Sequence, residues 1–125
     1  MLIGTGVDLM EIERIAHSIG RFGDRFLRRV YTASEIAYCL SKRSSAESFA
    51  ARFAAKEAGA KALGTGISWG VTWTEFEVKR EPSGRPTLAL NGRAQALAKE
   101  LGVKSISLSL THSREMAMAM VMMEG

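Results

Sequence analysis

Hydrophobic and polar positions follow two different periods along this chain, and the switches between them mark its elements. Leu2-Ile3-Gly4-Thr5-Gly6-Val7-Asp8-Leu9 is a short apolar run thinned by glycines, a strand pattern with Asp8 near its end. The period then becomes helical, with Ile12, Ile15, Ile19, Phe22 and Phe26 recurring three and four residues apart. Gly20 and Gly23 interrupt that stretch and predict a kink or a break between two short helices. Thr32-Ala33-Ser34-Glu35 is a capping box, in which the hydroxyl and the carboxylate satisfy each other's backbone donors, and it opens a helix to about Ser41. A longer, alanine-rich helix is predicted from near Ser45 to a stop at Gly64.

Alternation from Val71 to Val78 predicts a strand, and Pro82-Ser83-Gly84-Arg85-Pro86 a turn before a second strand at Thr87 to Leu90. Asn91 as N-cap and Gly102 as stop bound a helix over Gly92 to Leu101. Ile106, Leu108 and Leu110 alternate with serines, whereas Met116 to Met123 is apolar on both faces, so the last strand is expected to be buried on both sides, in the sheet or between subunits. Met116, Met118, Met120 and Met122 share one strand face. Thioethers are soft metal ligands, but core packing accounts for this spacing without one. The whole reads as one α+β domain over residues 1–125, with no linker, repeat or low-complexity stretch.

A net charge of +4 calls for an anionic partner: a nucleotide, an acidic protein or a nucleic acid. No run approaches the roughly 18 apolar residues of a membrane span, and the start lacks a signal-peptide pattern, so the chain is expected in the cytoplasm and off the membrane. Cys39 has no second cysteine to pair with, and His17 and His112 alone make no zinc-type cluster. Cys39 is read as a small buried apolar side chain. The glycines of Gly64-Thr65-Gly66-Ile67-Ser68-Trp69-Gly70 follow a helix instead of joining a strand to one, which excludes a dinucleotide fold and a P-loop.

The chemistry-bearing segment is Arg52-Phe53-Ala54-Ala55-Lys56-Glu57-Ala58-Gly59-Ala60-Lys61-Ala62-Leu63-Gly64-Thr65-Gly66. Glu57 and Lys61 lie four apart and share a helix face. Such a pair is either a solvated helix-stabilising pair or a site that holds a divalent cation beside a phosphate. The small residues Ala54, Ala58, Ala60 and Ala62 let another element approach closely, which favours the second reading. Asp8 supplies a second carboxylate, its alternative being a turn or capping aspartate.

Together with Gly6-Val7-Asp8-Leu9-Met10-Glu11-Ile12-Glu13-Arg14, that segment resembles the holo-acyl-carrier-protein synthases, the short bacterial-type 4'-phosphopantetheinyl transferases. The similarity extends to Ser107-Leu108-Ser109-Leu110-Thr111-His112-Ser113, so nearly the whole chain is covered. The resemblance implies an α+β fold with a small, mostly antiparallel sheet wrapped around a long helix. It implies transfer of the 4'-phosphopantetheine group of coenzyme A to a serine of apo acyl carrier protein, releasing adenosine 3',5'-bisphosphate and serving fatty acid biosynthesis. A related transferase acting mainly on polyketide or peptide-synthase carriers is the alternative.

By the same resemblance, Asp8 and Glu57 correspond to the ligands of Mg2+, with Mn2+ as an alternative ion, and Lys61 to the lysine on the transferred phosphate. The general base stays open between Glu57 and water at the ion. Lys42, Arg43 and His112 occupy places like those that bind the 3'-phosphate of coenzyme A. Gly64 falls in the cofactor-binding segment, and Gly84-Arg85-Pro86 resembles the adenine-side turn. Arg14 matches the arginine that docks the acidic carrier. Arg21, Arg25 and Arg28 extend it at steps that align on one helical face if the glycine kink is mild. A homotrimer with active sites between subunits is implied too, and a chain this short has little surface from which to enclose a large cofactor. The rival from another class, a small RNA-binding module, lacks the aromatic and glycine signature of an RNA-recognition strand and leaves Asp8 and Glu57 without a purpose. Nucleic acid is therefore not expected as the partner.

Overall fold

Two glycines decide how the layers meet. In the computed structural model, which describes residues 1–125, strand β1 (Leu2–Glu11) lies directly on the long helix α4 (Ser45–Leu63). A Cβ at Gly4 would overlap the Ala62 carbonyl, and one at Gly6 the Ala58 carbonyl, so only glycine lets the two backbones touch. α4 is buried around most of its circumference, from Phe49 and Ala50 through Ala54, Ala55, Ala58 and Ala60. A helix apolar on every side belongs at the centre of a fold.

Around it stand α1 (Ile12–Phe22), α2 (Asp24–Val30), α3 (Ala33–Leu40), β2 (Phe76–Arg80), β3 (Pro86–Leu90), α5 (Gly92–Glu100), β4 (Ser105–His112) and β5 (Met116–Glu124). Two antiparallel sheets form, one ordered β1-β5-β4 and the other a β2-β3 hairpin. This is the expected α+β arrangement around a long helix. Gly64 ends α4 with φ of 85°, and the Thr32–Glu35 capping box opens α3.

Four expectations need correcting. Asp8 is interior to β1, not near its end, because the ladder with β5 continues through Glu11↔Met116. The Val71 to Val78 stretch is a strand only from Phe76. Before it, the Thr72 N–H donates to Glu75 Oε1 at 3.0 Å and closes a 3₁₀ turn over Trp73–Glu75. Asn91 stands at the start of α5 but does not cap it with its side chain; Glu75 Oε2 accepts the Arg93 N–H instead, while the Asn91 amide donates to Thr74 O. Finally, the Met116, Met118, Met120 and Met122 face of β5 does not pack into the core of this chain, so of the two places given for a strand buried on both sides only a subunit interface remains. Ala117, Ala119, Val121 and Met123 face α4 and are fully buried, while Met116, Met118, Met120 and Met122 take the outer face, where Met120 keeps 43% exposure. Ala117, Ala119, Val121 and Met123, and not the four methionines spaced by two, fill the core beneath β5.

An ion pair crosses the interior. Lys56 Nζ on α4 donates to Glu35 Oε1 on α3 at 2.6 Å and to Phe76 O at the start of β2, and both side chains are sealed from solvent. Burial lowers the Lys56 pKa, and the Glu35 carboxylate opposes that shift. The second carboxylate oxygen of Glu35 accepts the Val78 N–H at 2.8 Å, so one glutamate ties the small sheet to both helices. Cys39 is buried beside it as expected, its thiol pushed up to about 11 by burial.

Gly6→Ala tests the backbone contact. Overpacking here has no flexible side chain to absorb it, so the variant is expected to lose ~3 kcal/mol or more of stability in urea melts at fixed protein concentration. A loss below about 0.5 kcal/mol would mean that β1 and α4 can separate at little cost.

Candidate active site

The β1–α4 contact carries Asp8, Glu57 and Lys61 to one place. β1 alternates Gly6 and Asp8 onto the face that meets α4, and α4 presents Glu57 and Lys61 one turn apart. Lys61 Nζ donates to Asp8 Oδ1 at 3.0 Å and to Val7 O at 3.0 Å, rather than bridging to Glu57 along its own helix. Two of the three ammonium protons are thereby used, and the side chain stays half exposed, so one donor faces outward. Asp8 Oδ2 is buried with no hydrogen-bond donor near it.

Glu57 Oε2 accepts the indole N–H of Trp73 at 3.2 Å. Burial first and the Asp8 charge second hold the Glu57 carboxyl above the ordinary glutamate range, against the pull of Trp73 and Lys61. An orphaned buried carboxylate oxygen beside a second, half-buried carboxyl is a donor set that a divalent cation would satisfy. No group of three or more histidine, cysteine or acidic side chains converges anywhere. Two carboxylates suit Mg2+, which keeps waters and shares substrate phosphates, better than a metal that needs an all-protein cage.

A second constellation lies where α3, α4, the end of β2 and β4 meet. Lys42, Arg43 and His112 line one cleft of about 400 Å³ with Tyr38, Glu47, Arg52 and Arg80. Arg52 is 3% exposed, has no acidic partner, and its Nε lacks an acceptor; its one hydrogen bond runs from Nη1 to Ser48 O. The cations of Arg52, Lys42 and Arg80 lie 4.4, 4.7 and 5.4 Å from the centre of the Tyr38 ring. Burial acts to raise the Tyr38 phenol, yet Arg80, Lys42 and Arg52 outweigh it and hold its pKa below the usual value. Lys42, Arg43, Arg52 and Arg80 against the single carboxylate of Glu47 leave the cleft with an excess of positive charge, which suits an anion. His112 Nε2 pairs with Glu47 Oε1 at 2.9 Å.

Arg85 and Pro86 stand apart from this cleft, at the β2–β3 turn, but Arg80 reaches both: it lines the cleft and donates to Gly84 O at 2.6 Å. The arginine stripe is not one helical face. Gly23, with φ of 55°, ends α1 and starts α2, which separates Arg14 and Arg21 from Arg25 and Arg28. All four are exposed; Arg28 sits 3.9 Å from Asp24, and Arg21 covers the Phe22 ring.

Trp73, Arg52, Arg80 and Tyr38 are absent from the sequence expectations. Arg52 carried a readable signal, a charge within the apolar helix one turn before Lys56. Trp73 carried none, since its partner lies in another element.

The family model of the 4'-phosphopantetheinyl transferase superfamily matches residues 4–121. The chain is 56% identical to the holo-acyl-carrier-protein synthase of Koribacter versatilis over 124 residues, covering 99% of each, and 54% identical to that of Solibacter usitatus, again covering 99% of each. Among solved structures, the holo-acyl-carrier-protein synthase of Neisseria meningitidis superposes with a TM-score of 0.90 at 32% identity, covering 100% of both chains. The Helicobacter pylori synthase, in complex with coenzyme A, superposes with a TM-score of 0.85 at 31% identity, covering 96% of this chain and 99% of its own. With nearly every residue inside the matched range and the same fold recovered end to end, this chain belongs to the 4'-phosphopantetheinyl transferase superfamily.

Proposed function

We propose that the chain is a holo-acyl-carrier-protein synthase whose reaction runs at Asp8, Glu57 and Lys61. The observation that carries this reading is the buried Asp8 Oδ2 without a donor, beside Glu57 and under Lys61. In the reaction, a carrier serine oxygen attacks the phosphorus that bears the pantetheine arm. The bond from that phosphorus to the bridging diphosphate oxygen breaks, and adenosine 3',5'-bisphosphate leaves with it. Catalysis of this kind is positioning plus neutralisation of charge on oxygen.

Asp8 and Glu57 would hold Mg2+ or Mn2+, which when bound offsets negative charge on the diphosphate. Lys61 keeps its ammonium beside Asp8 and turns its free proton to the transferred phosphate. The serine proton would pass to Glu57 or to water at the ion. Lys42, Arg43 and His112, joined by Arg52, form the anion cleft in which the 3'-phosphate of coenzyme A would sit. Gly64, Arg85 and Pro86 are assigned to the remaining cofactor contacts, the last two at a turn tied to that cleft through Arg80. Arg14, with Arg21, Arg25 and Arg28 on the two exposed helices, offers a basic surface to an acidic carrier.

A trimer fits the outer face of the large sheet. Val7 and Leu9 of β1 are 52% and 58% exposed, and they lie beside Met120 and Met118 in the ladder. A contiguous apolar face is costly to leave in water. No helix is long and apolar enough to cross a membrane. The lone, buried Cys39 thiol suits a reducing cytoplasm.

Incubating the protein with coenzyme A, Mg2+ and apo acyl carrier protein should raise the carrier's mass by one phosphopantetheine group. Asp8→Ala and Glu57→Ala are each expected to lose nearly all turnover, and Lys61→Ala to lower kcat more than coenzyme A affinity. Near-normal turnover in Asp8→Ala at ordinary Mg2+ removes Asp8 from the site. A polyketide or peptide-synthase carrier used in preference to acyl carrier protein in the same assay would favour the alternative substrate range.

Arg14→Glu should raise KM for the carrier about tenfold while coenzyme A binding holds, and carrier use by the unmodified enzyme should fall as salt rises. Salt-independent kinetics would contradict a basic docking surface. Met120→Lys should shift the mass measured by light scattering from three chains toward one, with activity falling alongside. A fully active monomer would end the shared-site reading.

A further inference from the structure

The reaction as described leaves Trp73, Lys56 and Glu35 without a task. We propose that Trp73 is a positioning residue for Glu57, and that the sealed Glu35–Lys56 pair holds it there. The inference rests on Glu57 being a cation ligand.

Trp73 makes its hydrogen bond to Glu57 from an unpromising place, a three-residue 3₁₀ turn outside either sheet. Such a turn does not fix a side chain by itself. Here it is pinned from behind. The Trp73 carbonyl accepts from Lys56 Nζ at 3.3 Å, and the same ammonium donates to Phe76 O just beyond the turn. Lys56 immediately precedes Glu57 on α4, so the residue that anchors the turn and the carboxylate that the turn reaches share one rigid stretch of helix. Glu35 locks the ammonium with Oε1 and the Val78 N–H with Oε2. The ring itself is flanked by Phe53, with centroids 6.2 Å apart, and by the Arg29 guanidinium at 5.9 Å.

Stability alone is a poor reason to keep this arrangement, because well-packed apolar residues often replace a buried ion pair without loss. Fixed geometry is a better one. An indole is a donor without a charge or an acceptor lone pair. It can hold Glu57 Oε2 without repelling a cation, and it leaves Oε1 unengaged by the indole. Outer partners of this kind orient metal ligands, and losing one typically costs 10–100-fold in affinity or activity. Phenylalanine at this position keeps the ring and its neighbours but removes the N–H, so Trp73→Phe isolates the hydrogen bond.

Mn2+ binding is measured by electron paramagnetic resonance without coenzyme A, for the unmodified protein and for Trp73→Phe, alongside melting temperature and steady-state kinetics. The proposal expects about tenfold weaker Mn2+ binding in Trp73→Phe, a lower kcat at saturating Mn2+, an unchanged KM for the carrier and an unchanged melting temperature. Unchanged Mn2+ affinity in folded Trp73→Phe overturns it. Failure of the unmodified protein to bind Mn2+ instead sinks the reading of Glu57 as a ligand. A second measurement does not depend on the variant at position 73: the Trp73 indole N–H resonance, assigned by its loss in Trp73→Phe or by its slow solvent exchange beside exposed Trp69, should shift and exchange faster in Glu57→Gln. An indole resonance indifferent to that change also overturns the proposal.

Discussion

Backbone contact between β1 and α4 sets the scale of everything else in the site. With Gly4 and Gly6 against the carbonyls of Ala62 and Ala58, the strand lies closer to the helix than any side chain would permit. Asp8, next on the same strand face, is thereby delivered to Lys61 at hydrogen-bond distance. A methyl group at Gly6 would move that carboxylate away from Glu57 as surely as it would loosen the core. Packing and chemistry here share one constraint.

The charges divide into a dry set and a wet set. Glu35 and Lys56 neutralise each other out of solvent and join three elements. Asp8, Glu57 and Lys61 are only partly covered and leave an acceptor oxygen and an ammonium proton unspent. Arg52 is the boundary case, buried like the first set and unpartnered like the second. A buried guanidinium without a carboxylate is costly to maintain, and an incoming phosphate is the group that would satisfy it.

Much of this was legible in the residue pattern because it is local. The capping box at Thr32, the glycine stop at Gly64 and the turn that joins β2 to β3 each depend on a few neighbouring residues, and each was expected from them. That some element approaches α4 closely was legible from the alanines of the helix, and the family resemblance put Asp8 with Glu57; that Gly4 and Gly6 make the contact was not read. What could not be read was non-local. Alternation from Val71 to Val78 gave no hint that Glu75 would close a turn and cap α5 instead of pairing across a sheet. The arginine stripe was conditional on a mild glycine kink, and Gly23 instead makes the break that was the other reading of those glycines. Trp73 reaches Glu57 from a turn whose carbonyl accepts from Lys56, contacts between elements that no local pattern links.

The central claim is that Asp8 and Glu57 hold one divalent ion where the diphosphate of coenzyme A must lie. Anomalous scattering from a crystal grown with Mn2+ and coenzyme A tests it most directly. The account predicts one strong peak between Asp8 Oδ2 and the Glu57 carboxylate, with the diphosphate in contact and Lys61 beside it. A Mn2+ peak elsewhere, with coenzyme A bound and these two carboxylates untouched, would contradict it.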